Sequence, residues 1–307
     1  MSATTNVVAD PVASAHVGRK SRRSVNTFPL VAPSVIVLVL WMIVPLAMTL
    51  WFSFQRYNLI VPTIQGFAGW ENYEYLVTDP ALWTAMKNTL LLVGWVLALT
   101  VALGVLLAIL LDQDFWGRGV ARLFVIAPFF IMPTVSALIW KNLLMHPVNG
   151  LFAWITSSLG LGRIDWFASL PLTSIIMIVA WQWVPFATLI LLTAIQSLDE
   201  EQKEAARMDG AGPLAMFWFI ILPHLGRAIS VVIMIETIFF LSIFAEILVT
   251  TAGGPGLAST NLAFLIYQRA LLEFDVGSAS AGGVIAIILA NIVAIFLVRS
   301  VARNLDA

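Results

Sequence analysis

The stretch EAARMDGAGP, residues 204–213, determines how the rest of the chain is interpreted, because it is a polar island between two long apolar segments. Six charged residues fall between Asp199 and Arg207, in a chain in which 11% of the residues are charged. Charged side chains are costly inside a bilayer. The stretch is therefore predicted to connect two membrane spans outside the lipid.

The residues around this stretch predict a helix, a turn and a second helix. Ser197 and Glu200 have the spacing of a capping box, which predicts a helix that begins near Leu198. Gly210 and Gly212 supply the positive φ that ends such a helix.

Two prolines delimit the second helix. Pro213 suits its first turn, because a proline there removes no hydrogen bond that the helix would make. Pro223 is expected to interrupt the helix, because it lacks a backbone N–H.

The composition of the chain is that of an integral membrane protein. Of its 307 residues, 60% are hydrophobic, and the mean hydropathy is +0.95. Only 11% are charged, whereas about 25% of the residues of a soluble domain are charged. The chain has no cysteine, which excludes disulfides and thiolate sites. His16, His146 and His224 lack metal-ligand spacing. No G-x-x-x-x-G-K-[ST] sequence occurs, so an ATP site would have to lie on another chain.

The hydropathy pattern predicts an all-α integral membrane protein with six transmembrane helices. Residues 1–27 read as a disordered cytoplasmic tail, and residues 28–307 as one transmembrane domain. The helix-turn-helix lies in a loop between the fourth and fifth spans, residues 197–225. The spans are predicted at about 30–53, 88–111, 121–142, 172–195, 228–250 and 279–300, with the third broken up by Pro128 and Pro133.

The distribution of basic residues predicts the orientation. With the N-terminus in the cytoplasm, all 16 Lys and Arg residues fall on the cytoplasmic side except Arg56, Lys87, Lys141, Arg163 and Arg269. Cytoplasmic loops carry the excess of Lys and Arg. Both termini and the 197–225 loop are therefore expected to be cytoplasmic, in the inner (plasma) membrane.

The pattern E-A-A, three residues, Gly, nine residues, I-x-L-P occurs without a gap from Glu204 to Pro223. It resembles the EAA loop of the permease subunits of binding-protein-dependent ABC importers. Asp209-Gly210-Ala211 is similar to the carbohydrate, or maltose-type, branch. The segment Thr250-Thr251-Ala252-Gly253-Gly254-Pro255 also resembles the T-G-G-G-P signature of carbohydrate permeases, with Ala252 in place of its first glycine.

The resemblance implies that this loop is a coupling helix seated on a separate ATP-hydrolysing subunit. It implies further partners: a second permease subunit, expected to be a different chain, two ATPase subunits, an external solute-binding protein and the bilayer, with no nucleic acid. ATP and Mg²⁺ would bind the ATPase subunits, and this chain would hold no cofactor. The implied coupling residues are Glu204, Ala205, Ala206, Arg207, Asp209 and Gly210.

Two carboxylates lie within the predicted fifth span, Glu236 and Glu246. Ten residues of one helix would separate them by about 15 Å, which is too far for a carboxylate pair to act on one bond. We therefore expect no enzymatic activity. A carboxylate at the depth of Glu236 normally faces a cavity or a polar partner, which leaves an ion- or proton-coupled transporter or channel as the alternative to an ATP-driven importer.

In maltose-type permeases the fourth and fifth spans line the substrate cavity. Carried over through the EAA motif, the cavity positions fall on Gln182, Trp183, Phe186, Glu236, Phe240 and Ile243. Phe240 and Ile243 are apolar where the maltose-type pattern is polar. Residues 126–150, 180–199 and 244–251 look like the mannitol/sorbitol permeases. The resemblance implies import of a polyol or small sugar by alternating access.

Overall fold

The computed structural model describes residues 28–61, 63 and 65–305, which are mostly helical. The predicted tail, residues 1–27, lies outside the described residues. The chain forms two compact units, Met1–Leu46 and Ala47–Ala307. The first unit contributes most of helix α1, Phe28–Ser53, and the second contains all the remaining elements.

In the second unit, the end of α1 is followed by two short strands, β1 at Gln55–Arg56 and β2 at Gly66–Phe67, which pair antiparallel. The helices that follow are α2 Glu71–Thr78, α3 Pro80–Asp112, α4 Arg118–Ile126, α5 Pro133–Ile139, α6 Leu151–Ser158, α7 Trp166–Ser169, α8 Pro171–Gln196, α9 Glu200–Met208, α10 Pro213–Met216, α11 Leu222–Phe240, α12 Ala245–Thr250, α13 Leu262–Tyr267 and α14 Val276–Leu305.

Five helices of the described chain are long and apolar enough to cross a membrane. They are Val31–Ser53, Pro80–Asp112, Pro171–Gln196, Pro213–Phe240 and Val276–Leu297. The prediction of a helical membrane protein is confirmed. A sixth span depends on a bent pair of helices, so the count of six stays a prediction.

The predicted third span, 121–142, is interrupted at its prolines. Its two halves, Arg118–Phe130 and Pro133–Leu144, are bent by 108°. The chain is extended at Ile131 and Met132, because the residue before a proline is disfavoured in the helical region. Gln182 Nε2 donates to the Ile131 carbonyl at 2.7 Å, which satisfies an acceptor that the break leaves open.

The predicted fifth span, 228–250, is displaced. The helix runs over Pro213–Phe240, and α12 is a separate short helix. Pro223 does not interrupt the helix, because a π-helical turn at Phe217–Ile221 precedes it and α11 continues from Leu222. After Phe240 the chain leaves the helix, and Asn261 Nδ2 donates to the free Ile243 carbonyl at 2.5 Å.

Helices α3, α8 and α11 form the centre of the second unit. Two clusters of buried apolar residues lie between them, one around Leu92, Ile175 and Phe240 and one around Ala108 and Leu191. A Cβ atom on Gly104 of α3 would lie 2.8 Å from Ala187 Cβ of α8. Small residues allow membrane helices to approach closely and gain dispersion contacts. The close approach therefore makes α3 and α8 one packed pair.

The loop between α12 and α13 is held by buried hydrogen bonds. Asn88 Nδ2 of α3 donates to the carbonyls of Leu257 and Thr260, each at 2.9 Å. Thr260 Oγ1 donates to the Gly253 carbonyl at 3.1 Å, and Thr260 is buried. This glycine-rich loop is therefore part of the packed interior.

Candidate functional site

Helix α9 carries the predicted coupling residues on an exposed surface. None of its residues is buried, and Met208 is 87% exposed. Lys203 and Ala206 are half-buried and mark the side that faces the rest of the chain. The remaining implied coupling residues, Glu204, Ala205, Arg207, Asp209 and Gly210, are exposed. This surface is available to a partner protein.

The turn after α9 has the backbone that the sequence predicted at one glycine and not at the other. Gly210 has φ +84°, whereas Gly212 has φ −73°. Pro213 occupies the first turn of the next helix, as predicted. A single left-handed residue is sufficient to end α9, since the Ala211 N–H bonds the Ala206 carbonyl at 2.9 Å.

The predicted start of this helix near Leu198 is wrong, because α9 begins at Glu200. The Ser197 hydroxyl does not cap α9; it donates to the Ala194 carbonyl at 2.7 Å, at the end of α8. His224 of α11 also contacts this end, with Nε2 2.9 Å from the same carbonyl oxygen. These bonds leave Ser197 with the end of α8 instead of the start of α9.

An ion pair joins α9 to α3. Lys203 Nζ lies 3.6 Å from Asp112 Oδ2, and 3.1 Å from Glu200 Oε2 within α9. The side chains of Lys203 and Asp112 are 13% and 20% exposed. Among the described residues, no other ion pair links α9 to another helix.

Five rings form an aromatic group on α8, α11 and the segment after α4. Trp183 lies at its centre, with its ring centroid 4.9 Å from Phe239 and 5.4 Å from Phe240. Phe129 and Phe186 are 5.5 and 5.7 Å from Trp183 and stack on each other at 5.7 Å. Phe240 is fully buried, whereas Phe239 is 52% exposed. One side of the aromatic group is therefore accessible.

Glu236, one helical turn before Phe240 on α11, is fully buried. Thr100 Oγ1 of α3 donates to Glu236 Oε2 at 2.5 Å. The second carboxylate oxygen, Oε1, has no hydrogen-bond partner, and the same holds for Gln182 Oε1. Two buried acceptors therefore have unused capacity, which normally costs about 1–3 kcal/mol each when nothing satisfies it.

The structure brings four of the predicted cavity residues into one cluster, Trp183, Phe186, Phe240 and Ile243. The side chains of the other two, Gln182 and Glu236, bond to Ile131 and Thr100 instead. Gln182, Phe240 and Ile243 are buried like Glu236, whereas Trp183 and Phe186 are half-buried. Glu246 lies on α12, so the two carboxylates do not share a helix. The sequence reasoning missed Phe129, Phe239 and Thr100. The adjacent phenylalanine pairs 129–130 and 239–240 were a visible signal for the first two.

Two larger cavities in the described part of the chain are apolar. One, of about 460 Å³, lies between α3, α4 and α8 and includes Leu103, Phe124 and Trp181. The other, of about 390 Å³, lies between α11 and α14, with Asn291 and Ser242 among mainly apolar neighbours. Neither is lined by Glu236, Gln182 or Trp183, and their apolar lining does not suit a polyhydroxylated solute.

Comparisons with known proteins agree with this architecture. Residues 100–307 match the family described as the binding-protein-dependent transport system inner membrane component. A probable ABC transporter permease of Sinorhizobium fredii is 34% identical, over 86% of each chain. The trehalose/maltose transport system permease of Thermococcus litoralis is 31% identical, over 85% of this chain and 88% of that one.

A solved structure shows the same fold. A bacterial alginate ABC transporter, in complex with an alginate pentasaccharide-bound periplasmic protein, superposes with a TM-score of 0.74 over 88% of this chain and 91% of that chain, at 23% identity. The matched relatives are transport subunits and not enzymes. The chain belongs to the family of inner membrane components of binding-protein-dependent transport systems, as an ABC permease subunit.

Proposed function

We propose that this chain is the membrane-spanning subunit of an ATP-driven importer of sugars or polyols. The observation that carries the proposal is α9, an exposed polar helix that bears the EAA pattern and is followed by a turn at Gly210. A helix with small residues at Ala205 and Ala206 lets a partner backbone approach closely, and charged neighbours set the register at the rim of the contact. The trehalose/maltose permease relative supports a carbohydrate solute.

The proposed complex contains a second, different permease subunit, two ATPase subunits and an external solute-binding protein. ATP and Mg²⁺ bind the ATPase subunits, since this sequence has no phosphate-binding loop. The alginate transporter in complex with a solute-bound periplasmic protein supports the last of these partners. The loop 197–225 and both termini are cytoplasmic in this proposal, because the basic residues concentrate on that side.

The aromatic group forms the wall of the proposed solute site. Trp183 and Phe186, with the exposed ring of Phe239, contact the carbon skeleton, and Phe240 and Ile243 support them from behind. The free acceptors of Glu236 and Gln182 bind solute hydroxyls when α11 moves away from α3. A hydrogen bond to a charged acceptor is about twice as strong as a neutral one.

A polyol is the solute that we propose in particular. The stretches that look like mannitol/sorbitol permeases include residues 180–199, which contain Gln182, Trp183 and Phe186. Phe240 and Ile243 provide no hydrogen bond to a second sugar ring, which favours a short solute. An ion- or proton-coupled carrier through Glu236 is the alternative that the family membership does not favour.

The test is reconstitution of the complete transporter in proteoliposomes, with uptake of mannitol, sorbitol, trehalose and maltose measured with and without MgATP inside. We expect uptake only with MgATP, and fastest for mannitol or sorbitol. Uptake driven by a proton or sodium gradient without ATP would contradict the proposal. Preference for trehalose or maltose would keep the importer and replace the solute.

Variants in the same assay test the two surfaces. We expect Glu204→Lys on α9 to abolish solute-stimulated ATPase activity while the matched outer-loop variant Glu74→Lys has no effect, since both side chains are exposed.

We expect Glu236→Gln to weaken uptake and Glu236→Leu to abolish it, with basal ATPase activity unchanged. Normal uptake by Glu236→Leu would exclude this carboxylate from the path, and failed assembly would assign it a structural role.

A further inference from the structure

Helix α9 has few contacts with the rest of the chain, although the proposed function requires it to transmit the movement of an ATPase subunit. It is nine residues long and buries no side chain. Its contact with α3 is the ion pair between Lys203 and Asp112. Lys203 is the more buried of the two side chains, with 13% of its surface exposed. The position of α9 relative to α3 therefore depends strongly on this ion pair.

Asp112 is placed where a carboxylate needs a cation. It is the last residue of α3, and the partial negative charge at a helix C-terminus disfavours a nearby carboxylate. Arg122 also binds this end, since its NH2 donates to the Leu111 carbonyl at 3.2 Å. Arg122 therefore compensates the helix end, and Lys203 lies opposite the Asp112 carboxylate.

Helix α3 leads from this ion pair to the proposed solute site. Thr100, which holds Glu236, lies twelve residues before Asp112, a distance of about 18 Å along the helix. Between the two residues, Gly104 packs against Ala187 of α8 without room for a Cβ atom. A helix packed in this way moves as a rigid body, so displacement at Asp112 reaches Thr100.

We propose that the Lys203–Asp112 ion pair transmits the displacement of α9 to α3, and through α3 to the Thr100–Glu236 hydrogen bond. Lys203 and Asp112 are then positioning residues of the transport cycle. This inference rests on the proposed function, because it requires that α9 is moved by an ATPase subunit. It adds a route from the coupling surface to the solute site that does not run through α10 and α11, the helices that follow α9 in the sequence.

The experiment uses the complete transporter in lipid nanodiscs, with spin labels at Glu201→Cys on α9 and Leu110→Cys on α3. Both positions are exposed, and the chain has no native cysteine. Every variant carries Glu200→Gln, so that Lys203 has one carboxylate partner. The distance between the labels is measured without nucleotide and with MgATP and vanadate. In proteoliposomes, uptake of a mixture of mannitol, sorbitol and trehalose is measured per ATP hydrolysed.

With Lys203 and Asp112 intact, we expect the label distance to be the same in both states, because α9 and α3 move together. In Lys203→Glu we expect the distance to change with nucleotide and the uptake per ATP to fall at least about fivefold. The charge swap Lys203→Glu with Asp112→Lys restores both values. The matched control Asp114→Asn, which removes the exposed ion pair to Arg118 at the same end of α3, changes neither.

Unchanged distance and unchanged uptake per ATP in Lys203→Glu would overturn the inference and leave the proposed function standing. Failure of the charge swap to restore a defect of Lys203→Glu would also overturn it. A complex without any ATP-driven uptake when Lys203 and Asp112 are intact would contradict the proposed function and this inference together.

Discussion

The connection between α9 and α10 and the connection between α12 and α13 are similar in sequence and opposite in structure. Both are rich in glycine, and each has a glycine with nearly the same backbone, Gly210 with φ +84° and Gly253 with φ +86°. A Cβ atom at Gly210 would meet nothing within 4 Å, whereas at Gly253 it would lie 2.5 Å from Thr260 Oγ1 and 2.7 Å from Phe264 Cε1.

The difference shows that turn chemistry and burial are separate properties. The loop at 250–261 is tied to α3 by Asn88 and buries Ser259, Thr260 and Asn261. The turn after α9 is open on all sides, as a surface for a partner protein has to be. One connection contributes to the stability of the chain, and the other is available for function.

The largest expected effect concerns the side of the membrane on which each connection lies. We expect Ala258→Cys to react with a membrane-impermeant maleimide in intact cells and Met208→Cys to react only after permeabilisation. Both side chains are exposed in this chain, so in cells that produce it without the ATPase subunits access to the reagent depends on topology. The measurement is labelling before and after permeabilisation. Labelling of Met208→Cys alone in intact cells would reverse the predicted orientation.

Alanine at the two left-handed glycines separates backbone strain from packing. Gly210→Ala should cost about 1–2 kcal/mol of unfolding free energy, which is the cost of a left-handed conformation for an L-residue. Gly253→Ala should lower the unfolding free energy by about 1–3 kcal/mol more than Gly210→Ala does, because its Cβ atom enters a filled space. The unfolding free energy is measured by SDS titration of the purified chain. Equal losses in the two variants would contradict the comparison.

Asn88→Ala should lower the unfolding free energy by about 1–3 kcal/mol, because the carbonyls of Leu257 and Thr260 then lack their donor. Asn291→Ala in α14 is the matched control. Its side chain is exposed and donates to the Ile287 carbonyl of the same helix, so we expect a change within about 0.5 kcal/mol. SDS titration of both variants gives the difference, and a larger loss for Asn291→Ala would refute the assignment.

The smallest effect is expected at Ala252, which has φ +50°. Ala252→Gly should stabilise the chain by about 0.5 kcal/mol, because relief of the strained backbone exceeds the entropy that glycine loses on folding. Ala258→Gly in the same loop lacks a positive φ to relieve and should destabilise the chain slightly. Thermal unfolding of the two variants measures the effect, and destabilisation by Ala252→Gly would contradict it.

The sequence predicted the helical membrane fold because twenty or more apolar residues in succession admit few other structures. It also predicted the turn at Gly210, where a local conformational requirement is sufficient. Pro128 and Pro133 indicated the break within 121–142 but not its 108° bend. The span at 228–250 was displaced, since hydropathy does not report where a helix ends within a continuous apolar segment. The bonds from Gln182 to Ile131 and from Asn261 to Ile243 join residues that are 51 and 18 positions apart.

The sequence by itself determined that this chain lies in a membrane, that it holds no nucleotide-binding motif of its own, and that a polar helix connects two apolar segments. Only the tertiary structure decided that Glu236 is enclosed with Thr100, that Phe239 and not Phe240 is exposed, and that Lys203 lies opposite Asp112. Composition and spacing act along the chain. Burial and partner choice depend on residues about 90 to 140 positions apart in the sequence that packing brings together.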